Sequence, residues 1–318
     1  MKKITTFFTA ILILVSFVSC GKKIDSSGWL SNLEDGKKAA KDEGKRIFLF
    51  FNTEDDRKIF GSEDFIAGLT EKYVLVNIDC SESLEASELE RLEESYKIAE
   101  LYGAQRMPYF LVLSPEGYVI TELFFDEDSD IVEARKVFDE AEPEIERFEE
   151  NLAKIKSGTK EERLAAIDEI FDNTEISVVH HLSPLNKLYL SLDKENANGQ
   201  YLKHIIALTR AKAVEHFLEN EIEKASEEFA ELAKDKNLTA EDKQMALYTA
   251  GHFLAQSGSG DFEKIRDYFQ QSYDACPDSE NAQNIKLALD YVQMIVDGAF
   301  DENAETEAET EAETSGAQ

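Results

Sequence analysis

The sequence predicts an α/β domain with a central sheet and flanking helices, followed by an all-α region. Between residues 24 and 142, short runs of β-branched and aromatic residues alternate with amphipathic stretches, which is the pattern of a layered α/β fold. From Pro143 to Phe300 the hydrophobic periodicity is helical almost throughout. With 318 residues, 42% of them hydrophobic, the chain is long enough for about two folded domains.

In the first region, helices and strands follow one another in a regular order. The cap at Ser62, with Glu63 and Asp64 in the first turn behind it, favours a helix start there. Pro115 and Gly117 suit a type I turn, so the two strands that flank them should form a hairpin. The expected elements are helix Asn32–Glu43, strand Arg46–Phe51, helix Glu63–Glu71, strand Tyr73–Asp79, helix Ser87–Tyr102, strands Tyr109–Leu113 and Tyr118–Phe125, and a further helix after this hairpin.

The second region is predicted to be helical, with breaks at 157–159, at 257–260 and at Pro277. The expected helices are Glu144–Lys156, Lys160–Phe171, Leu185–Leu192, Ala197–Asn220, Glu221–Lys234, Ala240–Gln256, Asp261–Ala275 and Ser279–Val296. We expect this region, residues 143–300, to be a separate domain.

The N-terminus is predicted to be a lipoprotein signal peptide over residues 1–19. Two lysines precede the uncharged apolar run Ile4–Val18, which has the length of a secretory segment rather than of a membrane span. Ser19-Cys20-Gly21 resembles the bacterial lipoprotein signal, in which the cysteine takes a diacylglycerol before cleavage; Phe17 departs from the leucine usual there. The resemblance implies lipidation of Cys20, a tether over residues 20–28, and a cell-envelope location on the periplasmic or surface face of a bacterial membrane. An ordinary signal peptide with an incidental cysteine is the alternative.

The charge of the chain excludes one class of function. There are 66 acidic and 34 basic residues, giving a net charge of −32 that would repel nucleic acid. Solubility explains this acidity better than an acidic ligand site does. The Ala-Glu-Thr-Glu repeats within residues 301–318 predict a disordered, solvating tail.

Several phrases of the first region resemble the thioredoxin-like superfamily. Val76-Asn77-Ile78-Asp79 resembles the V-x-V-D strand of that family, and residues 29–45 resemble its first helix leading into a central strand. Residues 102–117 resemble the family stretch Y-G-V-x-G-x-P-T-x-x-x-x-D-x-x-G, in which Pro108 falls where the family keeps a cis proline. The resemblance implies a thioredoxin-like domain over residues 29–142.

One helix of the second region resembles the second helix of a tetratricopeptide repeat. Over residues 260–279, Phe269 and Pro277 occupy the positions of the aromatic and of the closing proline, whereas Ile265 and Ser272 replace small alanines. No clean period recurs, so the interpretation is a degenerate helical-hairpin array, with an ordinary helical bundle as the alternative.

Thioredoxin-family catalysis needs two cysteines in a C-x-x-C turn after the first central strand, and no such motif occurs in this chain. One alignment places Arg57 and Phe60 at the cysteine positions. Another matches Asp56–Phe60 to the D-R-E-V-F phrase further along the family sequence, which implies that the whole turn is missing. Either way no redox pair remains, and we predict no catalytic residue and no cofactor. Asp55 and Asp56 are adjacent in a polar loop beside Arg57, which disfavours an acid/base pair.

The remaining cysteines and histidines give weak candidates. Cys80 and Cys276 are far apart in sequence, so a disulfide is not expected. Cys80 is a possible lone thiol for mixed-disulfide chemistry, but Asp79 would raise its pKa, and a packed cysteine is the preferred interpretation. The five histidines show no metal-ligand spacing, so no metal site is predicted.

Peptide binding is the activity that the thioredoxin resemblance leaves in place. In the family, the residue before the cis proline offers its backbone groups to an extended substrate, which needs no cysteine. The resemblance implies that Arg106, Met107, Pro108 and Tyr109 form this site. The function expected is therefore a membrane-anchored, redox-inactive thioredoxin-like module that binds envelope proteins or extended peptides. The alternatives are a thiol-disulfide oxidoreductase or redox partner using Cys80, and a structural envelope lipoprotein without a discrete ligand.

Overall fold

The computed structural model describes residues 28–53, 58–81 and 86–298. A four-stranded mixed sheet forms the first half, and its strands are β1 Arg46–Asn52, β2 Tyr73–Asp79, β3 Tyr109–Leu113 and β4 Val119–Leu123. The strand order is β2-β1-β3-β4; β1 and β2 run parallel, while β3 is antiparallel to both β1 and β4. The predicted strands and the predicted hairpin are confirmed, and Gly117 N–H donates to the Ser114 carbonyl across the turn at 2.9 Å.

Helices make up most of the rest. They are α1 Leu33–Glu43, α2 Glu63–Leu69, α3 Ala86–Leu101, α4 Ile131–Ser157, α5 Lys160–Asp172, α6 Ser183–Leu192, α7 Tyr201–Leu218, α8 Ile222–Leu232, α9 Ala240–Gln256, α10 Phe262–Ala275 and α11 Ala282–Val296. Short 3₁₀ turns cover Lys58–Gly61 and Val179–Leu182. The predicted cap of α2 is confirmed, since Ser62 Oγ accepts a hydrogen bond from Phe65 N–H at 3.3 Å.

Helices cover both faces of the sheet. Successive residues of a strand point to opposite faces, and in β1 the residues on each face are apolar. Ile47 and Leu49 of β1 pack with α1 and α3 on one face, whereas Phe48 and Phe50 pack with α2 and α4 on the other. The second face is rich in aromatic rings, and the Phe50 and Phe110 rings stack at 4.7 Å. This double burial explains why the strands are continuous hydrophobic runs.

Helix α4 joins into one element the helix predicted after the hairpin and the helix predicted from Glu144. It begins at Ile131, with Asp130 accepting from the N–H groups of Val132 and Glu133, and it continues through Pro143. A proline inside a helix removes one backbone hydrogen bond, so the continuity of α4 needs another source of stability. The apolar face of α4 is buried on both sides of the proline, at Phe138 and Ile145, and this burial keeps the helix continuous. The helix therefore crosses the predicted boundary between residues 142 and 143.

Within the described residues, seven helices, α5 to α11, form the C-terminal region. Each packs mainly against the helix before and after it in the chain. Small side chains allow close approach at these crossings: Ser226 Oγ of α8 and Ser272 Oγ of α10, both fully buried, donate at 2.7 Å to the carbonyls of Ala250 and Gln244 in α9. The predicted helices are thus confirmed, although α7 starts four residues late because the Asp193 carboxylate binds the N–H groups of Ala197 and Asn198 in the preceding turn.

Among residues 28–53, 58–81 and 86–298, none of the helices combines the length and the apolar character needed to cross a bilayer. The apolar run Ile4–Val18 lies outside these ranges.

Candidate functional site

The loop that the sequence predicted to bind peptides joins α3 to β3. Its Met107–Pro108 peptide bond is cis, as the resemblance implied. Because Tyr109 pairs with Phe51 in the antiparallel β1–β3 ladder, Pro108 lies beside the C-terminal end of β1. The loop therefore lies at the edge of the sheet where β1 leads into residues 54–57, which are outside the described part of the chain.

The backbone of this loop has no backbone partner in the described part of the chain. Upstream, Ala104 N–H donates to the Ala99 carbonyl at 2.9 Å and ends α3, and downstream Tyr109 enters the β-ladder. From Gln105 to Pro108, no backbone group takes part in a backbone–backbone hydrogen bond among the residues described. The N–H and C=O of Met107 are thus free to pair with an extended segment.

The side chains of the loop divide between core and surface. Met107 and Tyr109 are half-buried and pack against the core formed with α1 and α3. Arg106 is exposed, and its guanidinium lies 5.7 Å from the centre of the Phe124 ring, which is itself 61% exposed. A cation and an aromatic ring therefore flank the open backbone.

Acidic groups lie on the β4 side of Tyr109. Burial raises the pKa of the Tyr109 hydroxyl, and the neighbouring Glu122 raises it further. Burial likewise raises the pKa of Glu122, and the charge of Glu175 raises it further. The hydrogen bond with Tyr109 and the charge of Arg106 act in the opposite direction. These groups border a cavity of about 150 Å³ between β4 and the connection from α5 to α6. The surface beside the loop thus has both hydrogen-bonding and apolar character.

Cys80 follows β2 and lies in the core rather than in the loop. It is free of disulfide bonds and fully buried, with its N–H donating to the Asn52 carbonyl at 2.7 Å. Burial raises the pKa of its thiol to about 11, and the carboxylate of Asp79 adds to this effect while Arg91 opposes it. The thiol is therefore protonated at neutral pH, which does not favour a nucleophilic role.

Other predicted positions fall outside the described residues or in the core. Cys20 and the turn with Asp55, Asp56 and Arg57 are not among the described residues. Phe60 is buried in the aromatic core, and Trp29 Nε1 donates to its carbonyl at 2.9 Å. Phe60 therefore packs where one alignment places a catalytic cysteine.

Two histidines form clusters that the sequence did not reveal, because the partners come from neighbouring helices or turns. His204 is fully buried, with Nδ1 2.7 Å from Asn186 Oδ1 and Nε2 3.1 Å from Asp168 Oδ1, so it joins α5, α6 and α7. His216 and Glu221 meet across the turn between α7 and α8, where Glu219 also offers an oxygen within 4.8 Å. Glu221 already binds His216 Nδ1 at 3.1 Å and Lys224 Nζ at 2.6 Å, so we interpret this group as an ion-pair network.

Comparison with known families adds one similarity. A family model described as an uncharacterised protein C-terminal domain matches residues 198–297, which span α7 to α11. No curated protein matches the chain. This family similarity covers the C-terminal helices α7 to α11.

Proposed function

We propose that this chain is a lipid-anchored protein of the bacterial cell envelope whose thioredoxin-like domain binds extended segments of other proteins without redox chemistry. Cys20 carries the lipid, and the loop Arg106–Tyr109 carries the binding site. The helices from α5 onward form a tetratricopeptide-like array that presents a second protein surface.

The arrangement of the sheet supports the thioredoxin-like assignment. A parallel pair, β1 and β2, is joined through α2, and an antiparallel hairpin follows on the other side of β1. The cis Met107–Pro108 bond stands directly before β3. These features agree with the sequence phrases that resemble the family. For the helical part, support comes from the packing of each helix on its neighbours in the chain.

The observation that carries the binding proposal is that the backbone N–H and C=O of Met107 have no hydrogen-bond partner among the described residues. Backbone N–H and C=O groups almost always find partners in folded proteins, and an extended peptide supplies both in the manner of an added strand. Arg106 and Phe124 beside the loop offer charge and an aromatic surface to the side chains of such a peptide. The binding needs no thiol, which accords with the absence of a C-x-x-C motif and with the burial of Cys80.

The test begins in the native envelope. A photo-crosslinking amino acid replaces the exposed Arg106 in the full chain, and a matched chain carries it at Lys136, which is exposed on α4. We expect crosslinks to defined proteins from position 106 and not from position 136. Equal, non-specific crosslinking from both positions would contradict a discrete site.

The backbone contribution is then separated from the side chain. A peptide from the crosslinked segment is titrated against Met107→Pro, which deletes the N–H, and against Met107→Ala, which keeps it. We expect Met107→Pro to lose about one backbone hydrogen bond to the peptide, which lowers the affinity roughly tenfold. Met107→Ala should lower the affinity less. An affinity that is the same in Met107→Pro as in the parent chain would exclude backbone recognition at this loop. Robust insulin reduction by the parent chain, lost in Cys80→Ser, would instead favour the oxidoreductase.

A further inference from the structure

Helix α11 is apolar on two opposite faces. Its inner face packs against α10. The buried residues of that face are Ala282, Ile285, Leu289 and Val292. The opposite, outer face carries Leu287, Tyr291 and Met294, whose side chains are 63%, 56% and 45% exposed. These three residues are four and three positions apart, so they form one stripe along about two turns of the helix. Single exposed apolar residues are ordinary, whereas a continuous stripe indicates a contact surface.

The place of α11 in the helical array explains why this stripe lies at the surface. An inner helix such as α9 packs between two others, α8 and α10. Helix α11 is the last helix of the described residues, and among those residues it packs extensively only on α10. Its N-cap residue Asn281 also reaches α9, with Nδ2 3.5 Å from Met245 Sδ. In stacked-helix proteins the terminal element normally has a polar outer face. The outer face of α11 instead has the composition of a face that receives another helix.

The stripe fits a helix better than an extended segment. The backbone groups inside α11 already pair within the helix, so an extended segment on this face would bury its own N–H and C=O groups without partners. A helix pairs its backbone groups internally and can lay one row of apolar side chains along the stripe. Helix α10 packs on the inner face of α11 in the same way.

The charge of the chain favours a basic partner and disfavours a second copy. Residues 301–318, which follow α11 in the sequence, contain seven acidic residues and no lysine or arginine. Asp297 is exposed at the end of α11, where the negative end of the helix dipole adds to its charge. Lys286, on the same helix, is already bound by Asp290 at 2.6 Å. Two copies, each with a net charge of −32, would repel one another, whereas a basic helix would be attracted.

We infer that the outer face of α11 is a docking surface for an amphipathic helix of a partner protein, whose apolar row packs on Leu287, Tyr291 and Met294 and whose flanking residues are basic. This inference deepens the second protein surface of the proposed function and rests on that part of it alone. It does not require peptide binding at the Met107 loop.

The probe is a synthetic peptide of leucine and lysine, about five helical turns long, with its leucines spaced to form one face of a helix. It is titrated into the full chain and followed by fluorescence anisotropy. We expect saturable binding of one peptide per chain, at least about tenfold tighter than that of a peptide with the same composition in shuffled order. A peptide with glutamate in place of lysine should not bind. Equal affinities for the three peptides, or no saturable binding of the leucine–lysine peptide, would overturn the inference.

Variants locate the peptide on the chain. Leu287→Ser and Met294→Ser should each weaken binding about tenfold, because each removes an apolar side chain that docking buries. Val132→Ser removes a 74% exposed apolar residue from α4, outside the stripe, and should not change the affinity. Circular dichroism checks that each variant is folded. Unchanged affinity in Leu287→Ser would exclude the outer face of α11.

The contribution of charge is tested in the same titration. A chain in which the acidic residues of 301–318 are replaced by their amides should bind the leucine–lysine peptide about three- to tenfold more weakly at low salt. The parent chain should lose a similar factor when the salt concentration rises from about 0.05 M to about 0.3 M. An affinity that neither change alters would overturn the choice of a basic partner.

Other occupants of the face give different results. A dimer of the parent chain in sedimentation, dissociated by Leu287→Ser, would show that a second copy covers the stripe. Binding of the Cys20→Ser chain to vesicles of phosphatidylglycerol, lost on adding Leu287→Ser, would show that a bilayer covers it. Either result would overturn the inference. Met107→Pro should leave binding of the leucine–lysine peptide unchanged, so this surface and the Met107 loop fail independently.

Discussion

Arg46 of β1 and Glu149 of α4, which are 103 residues apart in the chain, are joined by two hydrogen bonds, from Nε at 2.7 Å and from Nη2 at 2.8 Å. Arg46 also donates to Glu142 at 2.9 Å, so one guanidinium binds two carboxylates on the same helix. Its side chain is only 11% exposed. This contact fixes α4 to the start of β1, with one carboxylate before Pro143 and the other after it.

Replacing Arg46 should therefore destabilise the fold measurably. Arg46→Met keeps the length of the side chain but leaves Glu149 without its partner and Glu142 with Lys72 alone, at 3.3 Å. We therefore expect the free energy of unfolding to fall by about 1–3 kcal/mol. The lower end applies because Glu149 is 42% exposed to solvent. The control is Lys136→Met in the exposed Lys136–Glu140 pair, which should change stability by less than about 0.5 kcal/mol in urea unfolding. Similar losses in both variants would contradict the argument.

His181 should make the protein less stable in acid. Burial lowers the pKa of His181 to about 3, with additional lowering from His180 and Lys37 and partial opposition from the Leu101 carbonyl, which lies 3.0 Å from Nε2. Its ordinary pKa of 6.5 applies in the unfolded chain, so below that pH the unfolded state binds a proton that the folded state does not. The free energy of unfolding that the neutral His181 contributes is therefore fully present above pH 6.5, and it decreases as the pH falls towards 3.

The measurement is urea unfolding between pH 4 and pH 6.5. One proton corresponds to a slope of about 1.4 kcal/mol per pH unit. His181→Gln, which keeps a donor for the Leu101 carbonyl, should reduce the slope by close to that amount, whereas His252→Gln on the exposed face of α9 should not. An unchanged slope in His181→Gln would show that other groups govern the acid sensitivity.

Cys80 should react slowly in the folded protein. Its thiol is buried and its pKa is raised to about 11, so little thiolate exists at pH 7.5. In a chain carrying Cys20→Ser and Cys276→Ser, we expect labelling by an aromatic disulfide reagent to be at least about a hundredfold slower in buffer than in urea. A chain that keeps Cys276, which is half-buried, and lacks Cys80 is the comparison. Equal rates for Cys80 in buffer and urea would revive a redox function.

The sequence predicted the sheet well because its strands are apolar on both faces and are bounded by clear turns. Periodicity also located nearly every helix, and the Ser62 cap was correct to the residue. The two helices predicted on either side of Pro143 are a single helix, α4, because its apolar face is buried on both sides of the proline, and that burial depends on the sheet beneath it.

The candidate sites were only partly predictable, because some of them are built from residues that are distant in sequence. The loop before Pro108 was found because its residues are consecutive and resemble a family phrase. The cluster of His204 with Asn186 and Asp168 could not be found, because the three residues come from α7, α6 and α5 and meet only in the folded chain.

Helices α9 and α10 pack closely where Gly251 faces the Phe269 ring. A methyl group built on Gly251 would lie 2.6 Å and 2.8 Å from two carbons of the buried Phe269 ring, whereas one on Gly68 in α2 would meet only the guanidinium of Arg135 at 3.0 Å. Replacing glycine by alanine favours a helix by up to about 1 kcal/mol, and overpacking a core costs about 1–3 kcal/mol. Gly251→Ala should therefore lower the free energy of unfolding, while Gly68→Ala should leave it unchanged or raise it, because the end of Arg135 can move. Gly251→Ala combined with Phe269→Leu should be less destabilised than the sum of the two single changes, and additivity in this cycle would show that the two residues do not compete for the same space.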